Sequence, residues 1–155
     1  MNLQQSITSV YSKYATFTGR ASRSEFWWYQ LFNVVIIGIP ITFVSEALES
    51  AWSLANLVPS LAVTCRRLHD IDKSGWWQIA PLAGLPFFIL TMVLRGTGIA
   101  VYSGEMVSSP MFWAGVLTAV GMTILLIRWW ATPGTPGSNR FGDDPLNRTD
   151  ADIFS

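Results

Sequence analysis

Cys65-Arg66-Arg67-Leu68-His69-Asp70-Ile71-Asp72-Lys73-Ser74-Gly75-Trp76-Trp77 sets six ionisable side chains between two long apolar runs and ends in a tryptophan pair. An arginine, lysine or aspartate at the centre of a bilayer costs roughly 2.5–3.5 kcal/mol on insertion scales, so this stretch is expected as a loop in water or among lipid headgroups. The sequence around it then reads as membrane. Half of the residues are hydrophobic, 13% are charged and eight are tryptophan, whereas soluble domains are about 25% charged. The 155 residues hold about four spans of ~20 residues with short connections and two tails, and leave no room for a second folded domain.

Taken in order, Leu3, Ile7, Val10, Tyr11 and Tyr14 stand at helical spacing with Gln, Ser and Lys13 between them, the pattern of an amphipathic helix. A basic start, apolar core and small-residue cleavage site are missing, so residues 1–22 are expected as an interfacial helix and linker rather than a signal peptide. Ser22 and Glu25 stand in capping-box spacing and predict a helix start near Arg23. Residues 23–130 are read as a transmembrane domain with spans at about 26–44, 51–65, 76–94 and 108–127. Phe26–Val44 and Trp76–Leu94 are each nineteen residues without a charge, and Pro81, Gly84 and Pro86 are expected to kink the latter. Ala51–Cys65 is fifteen residues, short for a crossing, so a re-entrant loop is its alternative. Residues 95–109 are read as a loop. Residues 131–155 are read as a cytoplasmic tail that opens on the turn dipeptides Pro133-Gly134 and Pro136-Gly137 and is disordered beyond Leu146.

Charge decides the threading. If all four runs cross, nine of the ten basic residues share one side and only Arg95 lies opposite. If the second does not cross, the split is four against six, which the positive-inside rule disfavours. An all-α four-helix bundle of the bacterial inner membrane, multi-pass with both termini cytoplasmic, is therefore expected. Trp27, Trp28, Trp76, Trp77, Trp129 and Trp130 fall at the cytoplasmic ends, as interfacial belts do. The echo between Ser24, Trp27, Trp28, Gln30 and Ser74, Trp76, Trp77, Gln78 needs only this shared interface chemistry.

Three segments share the predicted cytoplasmic face: Gly19 to Trp28, the Arg66 to Trp77 stretch, and Gly137-Ser138-Asn139-Arg140-Phe141-Gly142-Asp143-Asp144-Pro145. Together they resemble the YhaH-type bacterial inner-membrane family, the domain of unknown function 805. Arg66-Arg67-Leu68-His69-Asp70 followed by Ser74-Gly75-Trp76-Trp77 carries most of the likeness, which covers nearly the whole chain. Phe141 stands where tyrosine is expected and Asp143 where proline is frequent. The resemblance implies a small multi-pass protein and no particular activity.

Two readings of the charged face follow from its residues. In one, Arg66, Arg67 and Asp70 are helix-end charges within ion-pair reach, while Asn139, Asp143 and Asp144 fold back as a structural clamp on Arg20, Arg23 or Arg67. In the other, Arg20, Arg23, Arg66, Arg67, His69, Asp70, Lys73 and Arg140 form a ligand site, because guanidinium forks match phosphate oxygens and basic cytoplasmic pockets hold anionic headgroups. The ligand would be an anionic phospholipid headgroup or a phosphorylated small molecule. A partner protein or a second copy of the chain is the other partner class, beside the bilayer itself. A zero net charge argues against nucleic acid. One cysteine and one histidine exclude an internal disulfide and leave too few soft ligands for zinc, and no cofactor or metal is expected. His69, Asp70, Ser74 and Cys65 contain triad residue types but sit in no catalytic motif, so no enzyme is expected. Transport of a small solute by an oligomer is the alternative, since Pro40, Pro59, Pro81 and Pro86 stand where carriers break their helices, although the predicted spans hold no ionisable group.

Overall fold

The computed structural model describes residues 1–94 and 110–147. The expected loop at 95–109, the first residues of the fourth run, Arg148 and the last residues of the tail lie outside the described residues. The described residues are helical with no strand, apart from one isolated bridge between Asn139 and Gly142. They form two compact units, one of Met1–Gly75 with the chain from Trp130 onward, the other of Trp76–Trp129.

In the first unit, α1 (Leu3–Ser12) begins with a full capping box. The Asn2 side chain accepts from Gln5 N at 2.9 Å, and Asn2 N donates to the Gln5 side chain at 3.0 Å. Its Val10 joins Ala21, Phe26, Tyr29 and Val63 in the core, so part of the amphipathic stripe is covered by other parts of the chain. Helix α2 (Arg23–Gln30) is capped by Ser22, whose hydroxyl accepts from Glu25 N at 3.2 Å. It runs without a break into a π-helical segment (Leu31–Gly38) and the short α3 (Ile39–Thr42). The wider turn presses the Asn33 carbonyl against Gly38, where a Cβ would stand 2.7 Å from that oxygen. Only glycine fits there without a shift.

Helix α4 (Glu46–Asp70) is 25 residues long, about 37 Å at 1.5 Å per residue. The fifteen-residue run at 51–65 is thus the middle of one continuous helix. Its Pro59 has no N–H to give the carbonyl of Ala55, and the Tyr14 hydroxyl donates to that carbonyl instead. Tyr11 and Tyr29 both donate to Asn56 Oδ1, at 2.6 and 3.3 Å.

The second unit holds, from Trp76, a 3₁₀ segment (Gly75–Gly84), then α5 (Leu85–Leu94) and, as far as Trp129, α6 (Pro110–Ala131). The run expected as one kinked helix at 76–94 is 3₁₀ as far as Gly84 and α-helical only from Leu85. Gly84 approaches Gly115 and Ala119 so closely that a Cβ would collide with the Gly115 carbonyl. Such small-residue contacts are how helices pack tightly in lipid. Trp77 meets Trp129 edge-on at 5.3 Å. Where four spans are expected, a single helix among the described residues, α6, is long and apolar enough to cross a membrane.

Polarity is inverted relative to a soluble domain. Phe43 and Leu54 are 86% and 71% exposed, while Arg20, Glu25, Arg66, Arg67, Asp70 and Asp144 are buried. Soluble monomers rarely expose such extended apolar surface.

Candidate functional site

Every residue from Ala62 to Asp70 is buried. Side chains on consecutive helical positions point all round the axis, so the end of α4 is enclosed on every side. The stretch read as a loop is helical through Asp70 and turns only at Ile71–Ser74, where Asp72 takes a left-handed φ of 57°. Its charges have left water for one another.

Asp70 is the hub. Its Oδ1 accepts from Arg20 Nε at 3.0 Å and pairs with Arg20 Nη2 at 2.9 Å, and its Oδ2 pairs with Arg67 Nη1 three residues earlier. Arg20 also donates through Nη1 to Gly137 O at 2.6 Å and through Nη2 to Thr135 O, with Asp144 Oδ1 at 4.0 Å. Arg67 donates through Nε to Trp130 O at 2.9 Å and through Nη2 to Thr132 O. A helix leaves its last carbonyls unpaired and bears partial negative charge there. Arg67 answers both for the end of α6.

The tail returns the service to α4. Thr135 N donates to Asp70 O at 2.8 Å and Asn139 Nδ2 to His69 O at 2.9 Å. Gly134 lies so close to the Asp70 carboxylate that any Cβ would overlap it. Gly137 holds a φ of 68°, a turn that glycine adopts at least cost. Asp143 accepts from Ser138 Oγ at 2.8 Å, and Asp144 accepts from Leu146 N at 2.9 Å.

A second buried pair stands beside the hub. Arg66 Nη1 donates to Glu25 Oε1 at 3.0 Å, and the same oxygen accepts from Ser9 Oγ at 3.1 Å. Arg66 Nε and Nη2 are buried without a hydrogen-bond partner among the described residues. Sequence reasoning missed Glu25 as an ion-pair partner, because its spacing from Ser22 matched a capping box; its carboxylate faces Arg66 instead of closing the box. Thr135 was missed too, with nothing local to mark it, while Gly134 and Gly137 were read only as parts of turn dipeptides.

At the rim, Arg140 Nε pairs with Asp72 at 3.0 Å, exposed, and its guanidinium lies 4.7 Å from the Phe141 ring centre. That ring stacks on His69 at 3.8 Å and 3°. His69 Nδ1 is 3.1 Å from the Gly19 carbonyl, which can only accept, so Nδ1 carries the proton and Nε2 faces the Cys65 thiol at 3.5 Å. Lys73 is half-buried in the turn after α4. Burial, with Arg140 nearby, holds the His69 pKa below 6.5 against the opposing Gly19 carbonyl. The unfolded chain therefore takes the proton first as pH falls. Stability is expected to be full above about pH 6.5 and to decline below it, by at most about 1.4 kcal/mol per pH unit for one proton. Thermal unfolding of detergent-solubilised protein between pH 8 and 5 checks this, and His69→Gln should flatten that part of the profile.

Beside the hub runs an open groove of about 950 Å³, lined by Ser22, Arg23, Ser24, Trp27, Trp28, Gln30, Leu31, Val34, Val35, Asp70, Ala131, Gly134 and Leu146. Arg23 is exposed there. Its hydrogen bond to Ala131 O is long, 3.5 Å, and it has no ion-pair partner among the described residues. Of the five arginines on this face, Arg20, Arg66, Arg67 and Arg140 are paired with carboxylates.

Helices that expose apolar side chains and bury their ionic groups are those of a helical membrane protein. The family described as "Protein of unknown function (DUF805)" matches residues 14–143, and the chain belongs to it. It is 31% identical over 147 residues to the inner membrane protein YhaI of Escherichia coli K12, covering 88% of this chain and 92% of that one. To the inner membrane protein YhaH of the same strain it is 29% identical over 151 residues, with the same coverage. To the uncharacterized protein YiiR it is 29% identical over 136 residues, covering 83% and 85%. No solved structure matches. The matched segment includes both ionic pairs and the tail through Asp143, and its relatives place the chain among inner-membrane proteins.

Proposed function

We propose that this protein is a non-catalytic inner-membrane module of four spans, both termini cytoplasmic, that binds a phosphate-bearing anion at its cytoplasmic face. The continuous α4 supports a crossing by the second run, since its 25 residues reach about 37 Å against ~30 Å of hydrocarbon and its charges stand at its two ends. Fluorescent-protein and alkaline-phosphatase fusions at the C-terminus test the threading: only the former should be active.

One observation carries the binding reading: Arg23, the arginine of this face without a carboxylate partner among the described residues, stands in a groove beside the hydroxyls of Ser22 and Ser24. Arg20 and Arg67 hold the tail in place, so the geometry supports a division of labour in which paired arginines build the face and Arg23 meets the ligand. Native mass spectrometry of protein gently extracted from its own membrane tests it. A retained phosphate-bearing adduct is expected, and Arg23→Ala should abolish it while leaving the unfolding temperature within about 2 °C, as exposed substitutions do. A ligand-free wild type would refute the reading.

Solute transport by an oligomer is the second reading, favoured by a smaller cavity of about 390 Å³ lined by Asn33, Thr42, Glu49, Ser53, Asn56 and Ser60 among apolar neighbours. Flux through reconstituted liposomes separates it from binding alone.

A further inference from the structure

We infer that the groove along α2 seats one anionic diacyl phospholipid of the cytoplasmic leaflet, with its phosphate at Arg23 and an acyl chain over Leu31, Val34 and Val35. This rests on the anion-binding reading above and narrows it to one source. Arg23, Trp27, Leu31 and Val35 follow one another at intervals of four, a single helix face. Along that face the chemistry passes from cation and hydroxyls, through an indole pair, to bare aliphatic side chains. A bilayer leaflet has the same order of headgroup, interface and hydrocarbon. From Arg23 to Val35 is at most roughly 18 Å, since the π-helical part from Leu31 rises less than the ~1.5 Å per residue of an α-helix, and half of a ~30 Å hydrocarbon core is comparable.

The length of the groove and its apolar end favour a lipid over a smaller anion. The groove of about 950 Å³ lies at the upper end of the roughly 300–1,000 Å³ of small-molecule sites. A free phosphate would occupy its polar end and leave Leu31, Val34 and Val35 uncovered, at 38%, 51% and 49% exposure. Asp70 also borders the groove, but its carboxylate is held by Arg20 and Arg67, so Arg23 sets the sign there. Ala131 at the end of α6 and Gly134 and Leu146 of the tail wall the groove together with this face. That wall distinguishes a seated lipid from the lipid that bathes any membrane helix.

The test uses full-length, delipidated protein in neutral detergent, titrated with phosphatidylglycerol, phosphatidylcholine or sn-glycerol 3-phosphate and read by native mass spectrometry. Tryptophan quenching by brominated acyl chains reports the groove in a variant that keeps Trp27 and Trp28, which line it, and carries phenylalanine at the other six tryptophan positions. Phosphatidylglycerol should be retained in preference to phosphatidylcholine. Arg23→Gln should weaken it about tenfold, as loss of a charge-assisted contact does, and Arg23→Lys should restore part of that. Val34→Trp should fill the apolar end and displace the lipid without unfolding the protein, because Val34 is exposed. Equal retention of both lipids, unchanged in Arg23→Gln, would overturn the inference in favour of unspecific annular lipid. Glycerol phosphate bound as tightly as the lipid and indifferent to Val34→Trp would overturn the lipid assignment and leave the anion reading standing. No binding of any of the three would sink both.

Discussion

Asp70→Ala is expected to destabilise the fold by about 3–5 kcal/mol, the usual cost of leaving a buried charge without its partner, and two charges are involved here. Arg20 and Arg67 have side chains 1% and 0% exposed. Without the carboxylate, Arg20 keeps the carbonyls of Thr135 and Gly137, with Asp144 no nearer than 4.0 Å, while Arg67 keeps Trp130 and Thr132. Carbonyl dipoles do not replace the carboxylate that the two guanidinium groups share. Asp70→Asn should cost less than Asp70→Ala, because an amide oxygen still accepts one hydrogen bond. The measurement is unfolding of detergent-solubilised protein by heat or by titrated denaturing detergent, with limited proteolysis of the tail in parallel. Tail cleavage should rise with the destabilisation, since Thr135 and Asn139 are docked on the carbonyls beside Asp70. Gly134→Ala should act through the same contact, as its Cβ would displace the carboxylate. The double substitution should then cost less than the sum of the two, the signature of groups that share one interaction. Wild-type stability in Asp70→Ala would show that the knot contributes nothing.

Much of this was legible in the sequence, and what was not follows from a physical limit. Insertion cost marks Arg66, Arg67 and Asp70 as unable to face hydrocarbon, and none does. The step from there to a loop in water failed, because a charge can also leave water for an opposite charge. The partners come from Arg20, Glu25 and the tail, between 41 and 65 residues away in contacts such as Arg66 with Glu25 and Arg67 with Thr132. No local pattern encodes such distances. The helix end near Cys65 was misplaced for the same reason: apolar periodicity stops there, while the helix continues to Asp70 on capping bonds from Thr135 and Asn139. The Ser22 cap and the amphipathic α1 were legible because both are encoded within a few residues. The groove was half legible. Arg23 and the tryptophan pair could be read from the sequence, but its second wall exists only once the tail folds back.

Glu25 and Arg66 give the other large effect, and here the sign depends on how many partners are removed. Glu25→Ala takes away the carboxylate that Arg66 Nη1 reaches, and Arg66 Nε and Nη2 already lack partners among the described residues. A guanidinium 1% exposed would then be held by no side-chain acceptor described here. A loss of about 3–5 kcal/mol is expected, as for other broken buried pairs. Arg66→Met alone should also destabilise, because Glu25 would keep only the Ser9 hydroxyl. Replacing both, Glu25→Met with Arg66→Met, removes the two desolvated charges together and restores apolar volume next to Val10, Phe26 and Val63. Such exchanges are often neutral or stabilising by roughly 1–4 kcal/mol. The double variant should therefore unfold at or above the wild-type temperature, with each single variant far below it. If the double is as unstable as the singles, the pair supplies net stability that apolar packing cannot replace. If it is as stable as expected, evolution has kept an ion pair where methionines would serve the fold better. The pair would then have to be explained by the register it imposes between α2 and α4, and hence by where it sets Arg23 along the groove.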